Sequence, residues 1–161
     1  MNTHIRDNEN FLNSFHGCRV YKSATQTVSA GVTDVVTFNS EDYDTDTLHD
    51  TVTNNSRITI PTGLAGYWRF MFKADIDADA AANVQMHCQL RKNAAGLDTL
   101  GTQLDLWPQG GTTVNWSWFS EWTGPLVVGD YVEAFFRAVT EGRVLGSGIA
   151  GTIHQATYLG A

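Results

Sequence analysis

Tyr67-Trp68-Arg69-Phe70-Met71-Phe72-Lys73-Ala74-Asp75-Ile76 decides the fold class. Trp68, Phe70, Phe72, Ala74 and Ile76 fall on one face of an extended chain and Tyr67, Arg69, Met71, Lys73 and Asp75 on the other, a period of two that a helix cannot bury. The first set is expected in the core. Val84 to Arg91 repeats the pattern, with Val84, Met86, Cys88 and Leu90 inward and Gln85, His87, Gln89 and Arg91 outward. His87 is therefore expected in solvent or against another subunit. Gly129-Asp130 makes a turn that opens directly into Tyr131-Val132-Glu133-Ala134-Phe135-Phe136-Arg137-Ala138-Val139. The aromatic and β-branched side chains of this run suit a pleated, half-buried surface.

Outward from these stretches, short apolar runs alternate with Gly, Asn, Asp and Thr clusters. Val20-Tyr21 with Val28, Val35 to Phe38, and Arg57 to Ile60 read as strands, the last ended by Pro61, which removes a ladder donor. Leu97 to Leu106 and Thr112 to Thr123 follow. The second places Trp116, Trp118 and Trp122 on one face and Phe119 on the other, and Gly124-Pro125 is expected to break it. A short edge around Val144 leads to Gly148–Leu159, with Ile149 and Ile153 on one face and Ala150, Ala156 and Tyr158 on the other. No helical period is sustained, so the fold class is all-β, a β-sandwich of about ten strands with little helix.

A chain of 161 residues is expected to form one domain, burying about two-thirds of its unfolded surface without staples. Cys18 and Cys88 lie far apart and outside any CxxC spacing, which argues against a redox or zinc site, and Cys88 reads as a buried thiol. The net charge of −7 and the absence of Lys or Arg between Lys22 and Arg57 argue against a nucleic-acid partner. With no signal peptide and no apolar run near the about 20 residues of a bilayer span, no membrane partner is expected and the chain reads as soluble. Residues 1–16 are polar apart from Ile5, Phe11, Leu12 and Phe15 and read as an N-terminal arm, either frayed or anchored on a partner through those four side chains.

Two Asp ladders are candidate calcium sites, since hard cations take several carboxylate oxygens: Asp42, Asp44 and Asp46, with Asp50 nearby, and Asp75, Asp77 and Asp79. Thr47 and Ala80 stand where the twelve-residue calcium loop requires Gly, and capping of turns is the competing reading. His49 beside Asp50 is an acid-base couple only by adjacency. No nucleophile elbow accompanies it, so no catalytic residue is assigned and no enzyme is expected. Trp116, Trp118 and Trp122 read either as core or trimer packing or as a stacking face for glycans.

Phe38, Tyr43-Asp44, Arg57-Ile58-Thr59-Ile60-Pro61, Gly66-Tyr67-Trp68-Arg69-Phe70, Gly129-Asp130-Tyr131-Val132 and Gly148-Ile149-Ala150-Gly151, in that order, resemble the ten-stranded jelly roll shared by the complement globular head and tumour necrosis factor. Phe38 to Asp46 followed by Leu48-His49-Asp50 resembles the versions of this domain in tailed-bacteriophage structural proteins. The resemblance covers roughly residues 17–161 and implies a homotrimer. It also implies a bacteriophage virion structural protein, expected as a capsid decoration protein whose arm attaches it to the major capsid protein or another virion protein. Its location would be the virion, assembled in the bacterial host cytoplasm. The alternative is a host-recognition or carbohydrate-binding module at a phage tail or fibre tip, and no cofactor is implied beyond the candidate calcium.

Overall fold

The computed structural model describes residues 15–79, 85–94, 99–100, 114–139, 142–148 and 150–161, apart from the side chains of 77–79, 99–100 and 114–116. These residues form twelve strands and no helix. In chain order they are β1 Gly17–Tyr21, β2 Gln26–Val28, β3 Thr33–Val35, β4 Ser40–Asp44, β5 Arg57–Thr59, β6 Gly66–Asp79, β7 Met86–Lys92, β8 Thr99–Leu100, β9 Val114–Leu126, β10 Tyr131–Ala138, β11 Arg143–Leu145 and β12 Ile153–Gly160.

The long strand β6 is the spine of a seven-stranded antiparallel sheet. β9 pairs along one side of it. On the other side β12 pairs with Tyr67 to Lys73 and leads to β1 and β4, while β11 takes over at Ile76 and carries β2. In the second sheet, of five strands, β10 pairs with β7 along one side and with β5 and then β3 along the other. β8 extends β7.

The core lies between the sheets. Trp68, Phe70, Phe72, Ala74 and Ile76 are all buried, as the alternation requires, and Met86, Cys88 and Leu90 meet them from the other sheet with Val132, Ala134 and Phe136. Each large apolar side chain so buried contributes about 1.5–3 kcal/mol. The Trp68 indole N–H donates to the Leu64 carbonyl at 2.9 Å, so this buried ring leaves no polar atom unmet.

The Asp-rich stretch after Phe38 contains β4, and two expectations are corrected. β9 runs straight through Gly124-Pro125; among the described residues β9 pairs only with β6, and an edge strand tolerates the missing proline N–H. His87 does lie outward, opposite Arg137, yet it is buried.

Candidate functional site

Register fixes which side chains share the outer face of the seven-stranded sheet. One row across it reads Phe119, Lys73, Ile153, Tyr21 and the next Glu121, Met71, Gln155, Arg19, Tyr43. Tyr67, Phe119 and Leu159 are about half exposed here, at 54, 47 and 54%. Met71 sits with Arg69, Gln155 and Thr157 in a shallow depression of about 90 Å³. Arg69 meets Glu121 through two bonds of 2.9 Å, and Lys73 Nζ donates to the Ala150 carbonyl at 2.6 Å. The face therefore mixes large, partly exposed apolar side chains with polar and charged ones, of which Arg69 and Glu121 pair with each other.

Of the arm anchors, Ile5, Phe11 and Leu12 lie outside the described residues. Phe15 is exposed and meets Tyr43 edge-on at 5.5 Å between ring centres. Because Tyr43 stands opposite Arg19, Phe15 joins the rim of the same apolar face.

The first Asp ladder is spent on the protein itself. Arg19 donates to Asp42 at 3.1 Å. Asp44 accepts the backbone N–H groups of Asp46, Leu48 and His49 at 3.2, 3.0 and 2.9 Å. Asp46 lies 3.0 Å from His16 Nδ1 and accepts the Thr45 hydroxyl at 2.6 Å. These contacts are turn and loop capping, and among the described residues no three His, Cys, Asp or Glu side chains converge on a metal position. In the second ladder Asp75 accepts the Ser117 hydroxyl at 2.6 Å, while the side chains of Asp77 and Asp79 lie outside the described set.

The tryptophan face splits. Trp118 is buried in the subunit's own core and Trp122 packs against that core beside Phe70, 6.4 Å between ring centres. Trp116 is paired with Ile76 through its backbone, its side chain being outside the described set. Trp118 and Trp122 thus pack within the subunit, and it is Phe119, on the opposite face, that stands exposed.

His49 and Asp50 do not form a couple. The His49 ring is buried, with Nδ1 3.1 Å from Glu41 Oε1 and Nε2 3.2 Å from the Asn55 carbonyl oxygen. Asp50 instead accepts the N–H groups of Val52 and Thr53 at 2.8 and 2.9 Å, which hold its carboxyl below the usual carboxylate range. Around them the β4–β5 connection forms an open polar cleft of about 180 Å³, lined among others by the exposed Thr47, Asp50, Asn54 and Thr59 and the half-buried Arg57.

Two buried ionisable groups, His154 and Lys22, escape the sequence reading, whereas the buried Cys88 thiol agrees with it. His154 is wholly buried, with ring centres of Phe38, Phe70 and Phe72 at 5.6, 5.8 and 6.4 Å. Among the described residues neither of its nitrogens has a hydrogen-bond partner, and burial, followed by the nearby His49, pushes its pKa down to about 3. Burial likewise lowers Lys22 to about 8; its ammonium donates to Gln26 Oε1 and the Thr37 carbonyl, both at 2.8 Å. Cys18 and Cys88 are free and buried, and burial raises both thiols, which keeps them protonated and inert.

No protein-family description and no curated protein matches the chain. Solved structures do. Murine APRIL superposes with a TM-score of 0.62 at 11% identity, over 91% of this chain and 100% of that one. The globular domain of zebrafish complement 1qA gives 0.56 at 14%, over 90% and 98%, and Eiger TNF from S. frugiperda 0.55 at 14%, over 91% and 93%. The fold is the jelly roll of these proteins. The expectation drawn from Phe38, Arg57–Pro61, Gly66–Phe70 and Gly129–Val132 is met at the level of architecture.

Proposed function

We propose that the chain is a non-enzymatic, homotrimeric structural head of a bacteriophage virion, a capsid decoration protein that its N-terminal arm attaches to the major capsid protein or another virion protein. The observation that carries the trimer is the outer face of the seven-stranded sheet, where Tyr67, Phe119 and Leu159 stand about half exposed with Met71 between them. A second copy covering this face removes apolar surface from water, the main driving force of association. The likeness to the tumour necrosis factor and complement heads supports the same reading, and the resemblance of Phe38 to Asp50 to phage structural proteins supplies its setting. Function is then passive: three arms on one particle bind together, and multivalency raises avidity without new contacts.

Two measurements test this. Antibody labelling of purified virions is expected to decorate the head, and deletion of residues 1–16 is expected to leave a folded trimer that no longer binds particles. Label confined to the tail moves the protein to the host-recognition reading, which the polar cleft beside β5 favours; a deleted chain that still binds particles removes the arm's role.

A further inference from the structure

The cleft in the β4–β5 connection is built from a loop fixed on all sides. Asp44 caps three of its amides, the Thr59 N–H donates to the Leu48 carbonyl at 2.8 Å and the Arg57 N–H to the Asn54 carbonyl at 3.0 Å. Two residues lining it, Thr47 and Asn54, hold left-handed backbones with φ of 57° and 56°. Asn tolerates that region, but for a β-branched Thr it is a strained conformation that persists only where the surrounding structure holds it, often near functional sites.

The lining selects a ligand class by elimination. Among the described lining residues Asp50 is the only carboxylate, too few oxygens for a hard cation. Arg57 is the only Lys or Arg among them, and its Nε already donates to Glu133 Oε1 at 3.2 Å while its guanidinium lies 4.2 Å above the Tyr131 ring. An anion therefore finds little uncompensated charge. Leu48, the only aliphatic lining residue, is buried, so an apolar group finds no wall. What remains is a set of hydroxyl, amide, carboxylate and guanidinium groups, both donors and acceptors, around a space of about 180 Å³, smaller than the about 300–1,000 Å³ of drug-sized sites.

We propose that this cleft binds one uncharged sugar ring of a glycan, with Asp50 and Asn54 accepting from its hydroxyls and Arg57, Thr47 and Thr59 donating to them. The site is complete within one subunit and stands whether or not the chain trimerises or decorates a capsid.

The test is amide and arginine side-chain NMR of the full chain titrated with glucose, galactose, mannose and N-acetylglucosamine, with sodium acetate and calcium chloride as parallel probes. At least one sugar is expected to bind with a Kd on the order of 1 mM and to shift Thr47, Asn54 and the Arg57 side chain. Thr59→Val, which keeps shape and removes a hydroxyl, is expected to weaken that binding severalfold. Thr47→Gly, which relieves the backbone, is expected to raise the melting temperature while also weakening the sugar. Absence of any sugar response overturns the proposal, as do shifts elsewhere in the molecule, a response to acetate or calcium alone, or unchanged sugar binding in both variants.

Discussion

His154 puts an ionisable ring where water cannot reach it and surrounds it with Phe38, Phe70 and Phe72. Burial is the main reason its charged form is disfavoured, and the nearby His49 acts in the same direction. The unfolded chain binds a proton at this residue below its ordinary value of 6.5, whereas the folded chain holds out until about 3. Between those values the unfolded state carries more protons, so stability is full above about pH 6.5 and is lost as pH falls, by at most about 1.4 kcal/mol per unit for this group. Urea denaturation from pH 7.5 to 4 is expected to show this decline, and His154→Leu to flatten it. The same variant removes two buried polar atoms that have no partner, each costing about 1–3 kcal/mol when left unmet, so at pH 7 it is expected to be no less stable than the parent chain. A wild-type slope that survives in His154→Leu assigns the acid sensitivity to other groups.

At the scale of elements, the first pairing of the chain depends on one missing side chain. Gly17 lies where a Cβ would run into the Ala156 carbonyl oxygen of β12, and its own carbonyl accepts the Thr45 N–H at 3.1 Å. Gly17→Ala therefore pushes β1 off β12 and strains the β1–β4 pairing together, at a cost of about 1–3 kcal/mol, readable as a lower denaturation midpoint with an unchanged slope. How much of this architecture is legible in the sequence follows from range. Alternation is local, so the buried faces of β6, β7 and β10 could be read from Trp68 to Ile76, Met86 to Leu90 and Val132 to Phe136. Edge position is not local: only the pairing pattern reveals that β9 passes through Pro125 or that the Ser40–Asp44 run is a strand against β1. The polar core residues were hidden for the same reason, since His154 is paired across the sheet with Phe72 and its burial is set by residues more than eighty positions away. Asp44 looked like a metal ligand because spacing shows carboxylates and conceals the amides that satisfy them. The cleft was invisible as well: Arg57, Asn54 and Thr47 meet only because the loop after β4 turns back on β5.

For the whole molecule the decisive quantity is how many copies assemble, and the outer face of the seven-stranded sheet makes that testable. Closed oligomers repeat each interface contact at every symmetry-related position, so one substitution in a trimer acts three times. Phe119 and Tyr67 are expected to lie in that contact, because both are large, about half exposed and carried by the paired spine strands β6 and β9. Aspartate at either position places an unpaired charge in a surface that association must desolvate, which costs several kcal/mol unless the charge is met. The parent protein is expected to sediment as three copies of the 17.7 kDa chain, and Phe119→Asp and Tyr67→Asp to shift toward a folded single copy. Val52→Asp, at an 84% exposed loop position away from this face, controls for added charge and is expected to leave the mass unchanged. Association also links stability to concentration, so the melting temperature of the parent should rise with protein concentration while that of the two variants should not. A trimer that persists in both variants with its concentration dependence intact excludes this face as the contact and leaves its apolar side chains for another partner, the arm's Phe15 at the rim being the first segment to examine.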